Sequence, residues 1–478
     1  MCKPLLAALL VVTSSALLAD WQFTEVGESA GAAHRHSLEP VLFQHTENLS
    51  GGVAAGDYDN DGDIDLYMVT GNISGNKLLR NNGEGSFEDV AVAAGVDLGD
   101  HRSNGPAFAD IDADGWLDLV VGGVYGSGYH VFRNRGDGSF EDFTEASGHF
   151  HKATDQSDFS SAFGDPDGDG DLDVFVTHWG ATGDDANHYW MNAGGGVFYP
   201  ANHIVNYEPP FWTDWTFTPN FVDFDGDGLQ DLLVTSDYVS SQILKNVDGR
   251  TFSDITTVNI DDENGMGAAV ADFDNDGDFD WFVTSIHNEE GWHPTIGHTG
   301  NRLYMNDGTG QFEDAAKDAG ISEGHWGWGA CAADFNNDGW LDIFQVNGMP
   351  MKTEETDYTA HPSRLFISDG DGTFTERSEE LGVVENTQGR GVVCFDYDND
   401  GDIDLFTQNW KGVSHLFRND LEENTNWLQV RLQGGGANPH AIGAVIRLTT
   451  GSSTQTRQVS AGSNYGSQNP LVQHVGLG

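Results

Sequence analysis

The sequence predicts an all-β fold: a seven-bladed β-propeller with calcium-binding loops, followed by a small β module. Three observations carry this expectation. A nine-residue aspartate pattern recurs seven times, at a spacing suited to a repeated supersecondary unit. The same strand-like runs flank every copy. The strand missing after the last copy stands at the opposite end of the chain.

The pattern is Asp-x-Asp/Asn-x-Asp-Gly-x-x-Asp. Its copies begin at Asp57, Asp110, Asp165, Asp223, Asp272, Asp334 and Asp396, at intervals of 53, 55, 58, 49, 62 and 62 residues. A run of small and apolar residues precedes each copy, as at 105–109, and a β-rich run follows, as at 66–70 and 174–177. A second strand then ends in a turn of the type Asn-x-Gly-x-Gly-x-Phe, as at 81–87, 134–140 and 306–312. That turn leads into Phe-x-Asp/Glu, seen in Phe87-Glu-Asp89, Phe252-Ser-Asp254 and Phe374-Thr-Glu376. About four short strands per repeat is the content of one propeller blade.

The ends of the repeat region predict closure. After Asp396 come a strand and Asn419, but no Phe-x-Asp segment. Phe23-Thr-Glu25 and the residues after it match Phe140-Glu-Asp142 and its continuation. A ring whose last blade takes its missing strand from the N-terminal end has this offset, and it leaves only short, protected sheet edges. An open solenoid would call for distinct capping repeats, and none is seen.

The loops carry the chemistry. Carboxylates at positions 1, 3 and 5 surround one point, glycine at position 6 allows the sharp turn, position 7 offers a backbone carbonyl, and the aspartate at position 9 closes the shell. Six to eight hard oxygens suit calcium. The expected ligand sets are Asp57, Asp59, Asp61, Asp63 and Asp65; Asp110, Asp112, Asp114, Trp116 and Asp118; Asp165, Asp167, Asp169, Asp171 and Asp173; Asp223, Asp225, Asp227, Leu229 and Asp231; Asp272, Asp274, Asp276, Asp278 and Asp280; Asp334, Asn336, Asp338, Trp340 and Asp342; and Asp396, Asp398, Asp400, Asp402 and Asp404. Up to seven structural calcium ions are expected, the sixth loop being the weakest because Asn336 replaces an aspartate. An EF-hand needs glutamate at position 12 and flanking helices. Position 12 is Met68, Val121, Val176, Val234, Val283, Gln345 and Thr407, so that alternative fails.

Charge narrows the partners. The chain has 76 acidic and 21 basic residues, a net charge of −55. The seven loops hold 31 of the acids, and the surplus reads as a solvated acidic surface. Such a surface repels nucleic acid phosphates and anionic lipid. Residues 1–19 read as a secretory signal: Lys3, a short apolar run at 5–12, then small residues. The run is too short to span a bilayer, and no later stretch is long enough. An exported protein, extracellular or periplasmic and monomeric, is expected. Cys331 and Cys394 lie three and two residues before their loop aspartates, which on a strand points them to opposite faces, so two buried thiols are expected.

These repeats resemble FG-GAP/VCBS repeats, the calcium-loop blades also found in the N-terminal propeller of integrin α subunits. The resemblance covers roughly residues 21–420. The stretch from His325-Trp-Gly-Trp through Asp342 is similar to the cartilage acidic protein family, whose propeller precedes an ASPIC/UnbV domain. Asn426-Trp-Leu-Gln-Val-Arg-Leu432, Ala441-Ile-Gly-Ala-Val-Ile-Arg-Leu448, Arg457-Gln-Val-Ser-Ala-Gly462 and Tyr465-Gly-Ser-Gln468 resemble strands of that domain. The expected organisation is therefore a signal at 1–19, a propeller at 20–423 and an ASPIC/UnbV-like domain at 424–478. That domain usually continues beyond the element at 474–478, so here it is either complete or short of its last strands. The resemblance implies adhesion and protein or glycan binding, and it transfers no catalytic residue.

For a ligand, the sequence offers Thr70, Gly123, His178, Ser236, Ser285, Asn347 and Asn409, each five residues past a closing aspartate and expected around one channel mouth. Trp179 and Trp410 follow directly. Longer insertions near 200–219, 287–300 and 348–363 carry Tyr207, Phe211, Trp212, Trp215, His287, Trp292 and His293. Loops on a rigid scaffold commonly carry binding. Packing between blades is the competing expectation for these aromatics, above all for Trp326 and Trp328. Two functions follow: an interaction protein for proteins or glycans, or a polysaccharide-degrading enzyme for which His178, His287 and Asp237 are the hints.

Overall fold

The computed structural model describes residues 21–39, 46–148, 157–182, 187–205, 213–288, 299–352, 357–421, 425–451, 453–462 and 464–478. The signal at 1–19 lies outside them, as do Tyr207, Phe211, Trp212, Trp292 and His293.

Each aspartate pattern lies between the first and second strands of a four-stranded antiparallel unit. In the first unit the strands are Val53–Gly56, Asp65–Met68, Lys77–Asn81 and Phe87–Asp89. The first strands of the other units are Ser103–Ala109, Asp158–Gly164, Thr213–Val222, Ala268–Ala271, Gly327–Ala333 and Gly389–Phe395. Each first strand touches the next in this order, and the last returns to Val53–Gly56, so the units form a ring. These strands are rich in small residues because seven of them converge on one axis. The strand Gln22–Glu25 pairs antiparallel with His415–Asp420, Phe23 opposite Asn419, and completes the last unit. This is the closure expected from the sequence.

The fourth strand shows why Phe-x-Asp/Glu recurs. Phe87, Phe140, Phe198, Phe252, Phe312, Phe374 and Phe23 are all buried, and the two residues after each are exposed. Each phenylalanine packs into the apolar layer between two successive units. Phe140, for example, lies among Tyr58, Tyr67, Phe108 and Leu119 of units 1 and 2.

Units 3 and 4 depart from the repeat. Their inner strands Asp173–Thr182 and Thr213–Val222 each have 10 residues and run on beyond their own sheets. The extensions pair with each other, Trp179 opposite Trp215 and Thr182 opposite Thr213, joining the two units into one eight-stranded sheet.

Cys331 and Cys394 form a disulfide, with Cα atoms 6.3 Å apart, contrary to the expectation of two thiols. Pointing to opposite faces is what links them. In stacked units, the face of one sheet meets the opposite face of the next, so residues on opposite faces converge in the shared interior.

The C-terminal segment belongs to the same core. Trp427–Val430 pairs with Gln473–Gly476, and Val445–Thr450 pairs with Ser453–Gln458. Between them the chain runs into the ring's axis. Ala461 pairs with Phe163, Gln468 pairs with Ala54, and Tyr465 at the tip is fully buried. Val459, Ala461 and Ile442 join the apolar layer of units 2 and 3.

Candidate metal centres

Each loop is held by its own backbone. The position-6 glycines Gly62, Gly115, Gly170, Gly228, Gly277, Gly339 and Gly401 have φ between +90° and +105°, which only glycine adopts without strain. Position 4 is left-handed too, at Asn60, Ala113, Gly168, Gly226, Asn275, Asn337 and Asn399. The sequence reading passed over this position, although its run of asparagines and glycines is the signature of such a conformation. The turn aims N–H groups at the carboxylates. In loop 2, Asp110 accepts from Asp114 N and Gly115 N at 3.1 and 2.9 Å, and Asp114 accepts from Trp116 N at 3.0 Å.

The position-9 aspartates staple loop to sheet. Asp65 accepts from Tyr58 N and from Asn81 N, at 3.2 and 2.8 Å. Asp118, Asp231, Asp280, Asp342 and Asp404 repeat the first bond, and all of these together with Asp173 repeat the second. The following asparagine extends the staple to the neighbouring unit. Asn134 Nδ2 donates to Leu117 O of its own loop and to Tyr58 O of the preceding loop, and Asn81, Asn192, Asn246, Asn306 and Asn419 do the same. Ser368 stands at this place in unit 6 and is too short to reach.

The electrostatics call for a cation. Asp57, Asp59, Asp112, Asp165, Asp225 and Asp398 each keep a buried carboxylate oxygen without a hydrogen-bond partner, and Asp272 keeps two. Ligand atoms of Asp57, Asp59 and Asp61; Asp110, Asp112 and Asp118; Asp165, Asp167 and Asp169; Asp223, Asp225 and Asp231; and Asp272, Asp274 and Asp276 lie within 4.8 Å of one another in each group. Burial pushes Asp65 up to about 9 and Asp118, Asp173, Asp231 and Asp280 up to about 8. Burial also raises Asp110 and Asp272 to about 6, and Asp334 and Asp396 to about 7. Carboxylates raised by burial and aimed at one point, with oxygens left over, fit a hard divalent ion bound through oxygen.

Protein cations reach some loops. Arg133 Nε lies 2.8 Å from Asp112, and Arg431 lies 2.5 Å from Asp57. In loop 4, Lys245 Nζ contacts Asp225 and lies 3.3 Å from Asp227, so its ammonium bridges positions 3 and 5. Gln429 of the C-terminal segment donates to Asp396 at 2.8 Å. The C-terminal segment therefore lies over the loop face of the ring.

The residues expected around the opposite mouth are buried instead. Thr70, His178, Ser236 and Ser285 have no exposed surface, and Asn347 and Asn409 have almost none. Thr70 and Asn409 anchor the turns that follow them, Thr70 Oγ1 donating to Gly75 O and Asn409 Nδ2 to Val413 O, while Ser285 Oγ donates to Asp262 O of the preceding segment. His178 has both ring nitrogens engaged, Nδ1 at 3.0 Å from Asp158 and Nε2 at 3.3 Å from Asn187 O. Trp326 and Trp328 pack in the core. Trp179 and Trp215 stay partly exposed.

Comparison with known families finds FG-GAP-like repeats at residues 57–121, 110–176, 165–234, 223–283, 295–344 and 356–407, and an ASPIC and UnbV segment at 434–478. Cartilage acidic protein 1 of Mus musculus is 26% identical over an alignment of 523 residues, covering 98% of this chain and 74% of that protein. Cartilage acidic protein 1 of Homo sapiens is 28% identical over 235 residues, 37% of this chain and 35% of that protein, so this match spans about a third of the human relative. Similar solved structures include an Agrocybe aegerita lectin described as recognising non-reducing terminal N-acetylglucosamine (TM-score 0.44, 21% identity, 68% of this chain and 79% of that one). The BP39L lectin of Burkholderia pseudomallei is another (TM-score 0.45, 10% identity, 77% of this chain and 95% of that one). With repeats of this kind over most of its length, the chain belongs to the FG-GAP-like repeat family and carries an ASPIC and UnbV segment at its C-terminal end.

Proposed function

We propose that this protein is an exported, seven-bladed propeller clamped by calcium, which acts as an adhesion or interaction protein for glycans or proteins. One observation carries the calcium reading: buried carboxylate oxygens without partners recur at equivalent places in successive loops. The ion would be structural. It would neutralise the loop carboxylates and fix the turn between the first and second strands of each unit, with Asp57, Asp59 and Asp61 and their counterparts as ligands. Extracellular or periplasmic placement is in keeping with the disulfide, which oxidising compartments preserve. Among the described residues no helix is long and apolar enough to cross a membrane. The polysaccharide-degrading alternative loses one of its three hints, because His178 is fully buried.

The binding reading is tested on a glycan array, with the full chain in calcium and then in chelator. Calcium-dependent binding is expected. Silence in both conditions from a folded protein would remove glycans and leave a protein partner.

Lys245 gives a separate test of the ion reading. Its ammonium already sits on Asp225 and Asp227, so loop 4 should hold calcium more weakly than loop 5, where Met305 stands at the same place. Lys245→Met removes a like charge from the cation site. It should tighten one site by roughly tenfold or more, read by calorimetric calcium titration. An unchanged isotherm would show that loop 4 takes no ion with either side chain.

A further inference from the structure

The extended ribbon between units 3 and 4 carries an arrangement that the repeat does not need. Residues directly opposite in an antiparallel pair share a face, and Trp179 and Trp215 are such a pair. Their ring centroids are 5.0 Å apart with the planes at 64°. Tyr238, from the turn after Asp231–Ser236, lies 4.8 Å from Trp215 at 61°. Phe217 stacks beneath Trp179, at 6.0 Å and 13°. The three outer rings form a shallow bowl on the side of the ring away from the aspartate loops.

Asp237 sits at its floor. Its carboxylate accepts from Trp179 Nε1 at 3.2 Å and from Tyr238 N at 3.0 Å, and its own N–H donates to Trp215 O at 2.9 Å. Among the described residues no basic side chain lies within ion-pairing distance of it. The residue is partly exposed, and its carboxylate, raised by burial to about 7, keeps acceptor capacity beyond these two bonds.

The turn that builds the bowl is strained. Tyr238 and Val239 have φ of +56° and +58°, a conformation that disfavours a bulky or β-branched residue. The equivalent turn of unit 2 has Tyr125 at φ +56° and Gly126 at φ +68°, so the tyrosine conformation recurs and Val239 is the departure, standing where unit 2 uses glycine. The strain is not offset by burial, because Tyr238 and Val239 are 41% and 49% exposed.

We propose that Trp179, Trp215, Tyr238 and Asp237 form a carbohydrate site that takes one pyranose ring of a neutral glycan. The apolar C–H face of the sugar stacks on the electron-rich aromatic faces, and a sugar hydroxyl donates to a free acceptor position of Asp237. A neutral sugar is specified because a net charge of −55 repels uronic and sulfated chains. The assignment rests on the glycan reading above and gives it a place.

The test uses the full chain in calcium with glucose, galactose, mannose and N-acetylglucosamine as probes, read by saturation-transfer NMR. At least one should bind. Tyr238→Gly should weaken that sugar by roughly tenfold, the loss of one ring contact. Its melting temperature should hold or rise, because glycine accepts the left-handed turn without strain. Asp237→Asn should weaken the same sugar while keeping the shape of the floor. If the array is positive but both variants bind like the unsubstituted protein, the site is wrong and the glycan reading stands. If no probe binds and the array is silent, both fall, and the bowl is left to a protein partner.

Discussion

Chelating calcium should lower the melting temperature of this protein by roughly 10–20 °C. A ligand that binds only the folded state stabilises it by about 2.7 kcal/mol at a hundredfold excess over Kd. Among the described residues, five of the loops bring three aspartate carboxylates within 4.8 Å of one another. Several such sites together match the whole net stability of an ordinary domain, about 5–15 kcal/mol. Calorimetric melts with and without chelator check this, and superimposable curves would refute it. The calcium-free protein should also respond to pH in an unusual direction. Burial raises Asp65 to about 9 and Asp118, Asp173, Asp231 and Asp280 to about 8, above the ordinary aspartate value of 3.8. Between the two values the folded state holds more protons than the unfolded one, so stability is greatest below about pH 4 and is lost as pH rises towards 8 or 9. Calcium favours the ionised carboxylates. Its binding at neutral pH should therefore release protons, and the calorimetric enthalpy should vary with the ionisation heat of the buffer.

Much of this architecture was legible because each unit repeats the same local chemistry. The position-6 glycines, the Phe-x-Asp/Glu strands and the N-terminal supply of the last strand each follow from residue type and spacing. What escaped depends on how units meet. The disulfide is hidden from a strand-face comparison because Cys331 and Cys394 lie on stacked sheets, where opposite faces meet. The residues expected at the open mouth are small or polar, and that character serves the turns they anchor rather than solvent. The Trp179–Trp215 ribbon needs two long strands from different units to find a common register, which no pattern within one unit encodes. Residues 459–462 and 464–470 are mostly polar, glycine-containing and without a period. Their place on the axis is fixed by hydrogen bonds to several first strands at once.

Tyr465→Ala should be the most damaging single substitution outside the loops. The side chain is fully buried, its hydroxyl donates to Leu49 O at 2.6 Å, and its ring meets Trp328, Phe217 and Phe159 at centroid distances of 5.2, 5.4 and 6.2 Å. Emptying such a site costs about 3–5 kcal/mol, whereas Tyr465→Phe, which loses only the hydroxyl and leaves one carbonyl unpaired, should cost about 1–3 kcal/mol. Urea melts of the two variants give the ratio. Gln468 shows why the effect should spread through the ring. Its side chain accepts from Phe108 N at 2.8 Å and donates to Phe108 O at 2.9 Å, while its backbone bonds Val53 O and Ala55 N at 3.0 and 2.9 Å. One residue thus fastens units 1 and 2 to the axis, and Asn464 and Asn469 reach unit 7 through Val392 O and Cys394 N. Ring and segment should therefore unfold in a single transition. A chain ending at Asp420 would expose the inner strands along the whole axis, and it should lose the cooperative melt. If that shortened chain kept the melting temperature of the full one, the segment would be an appendage, and its contacts with the first strands would contribute nothing to the fold.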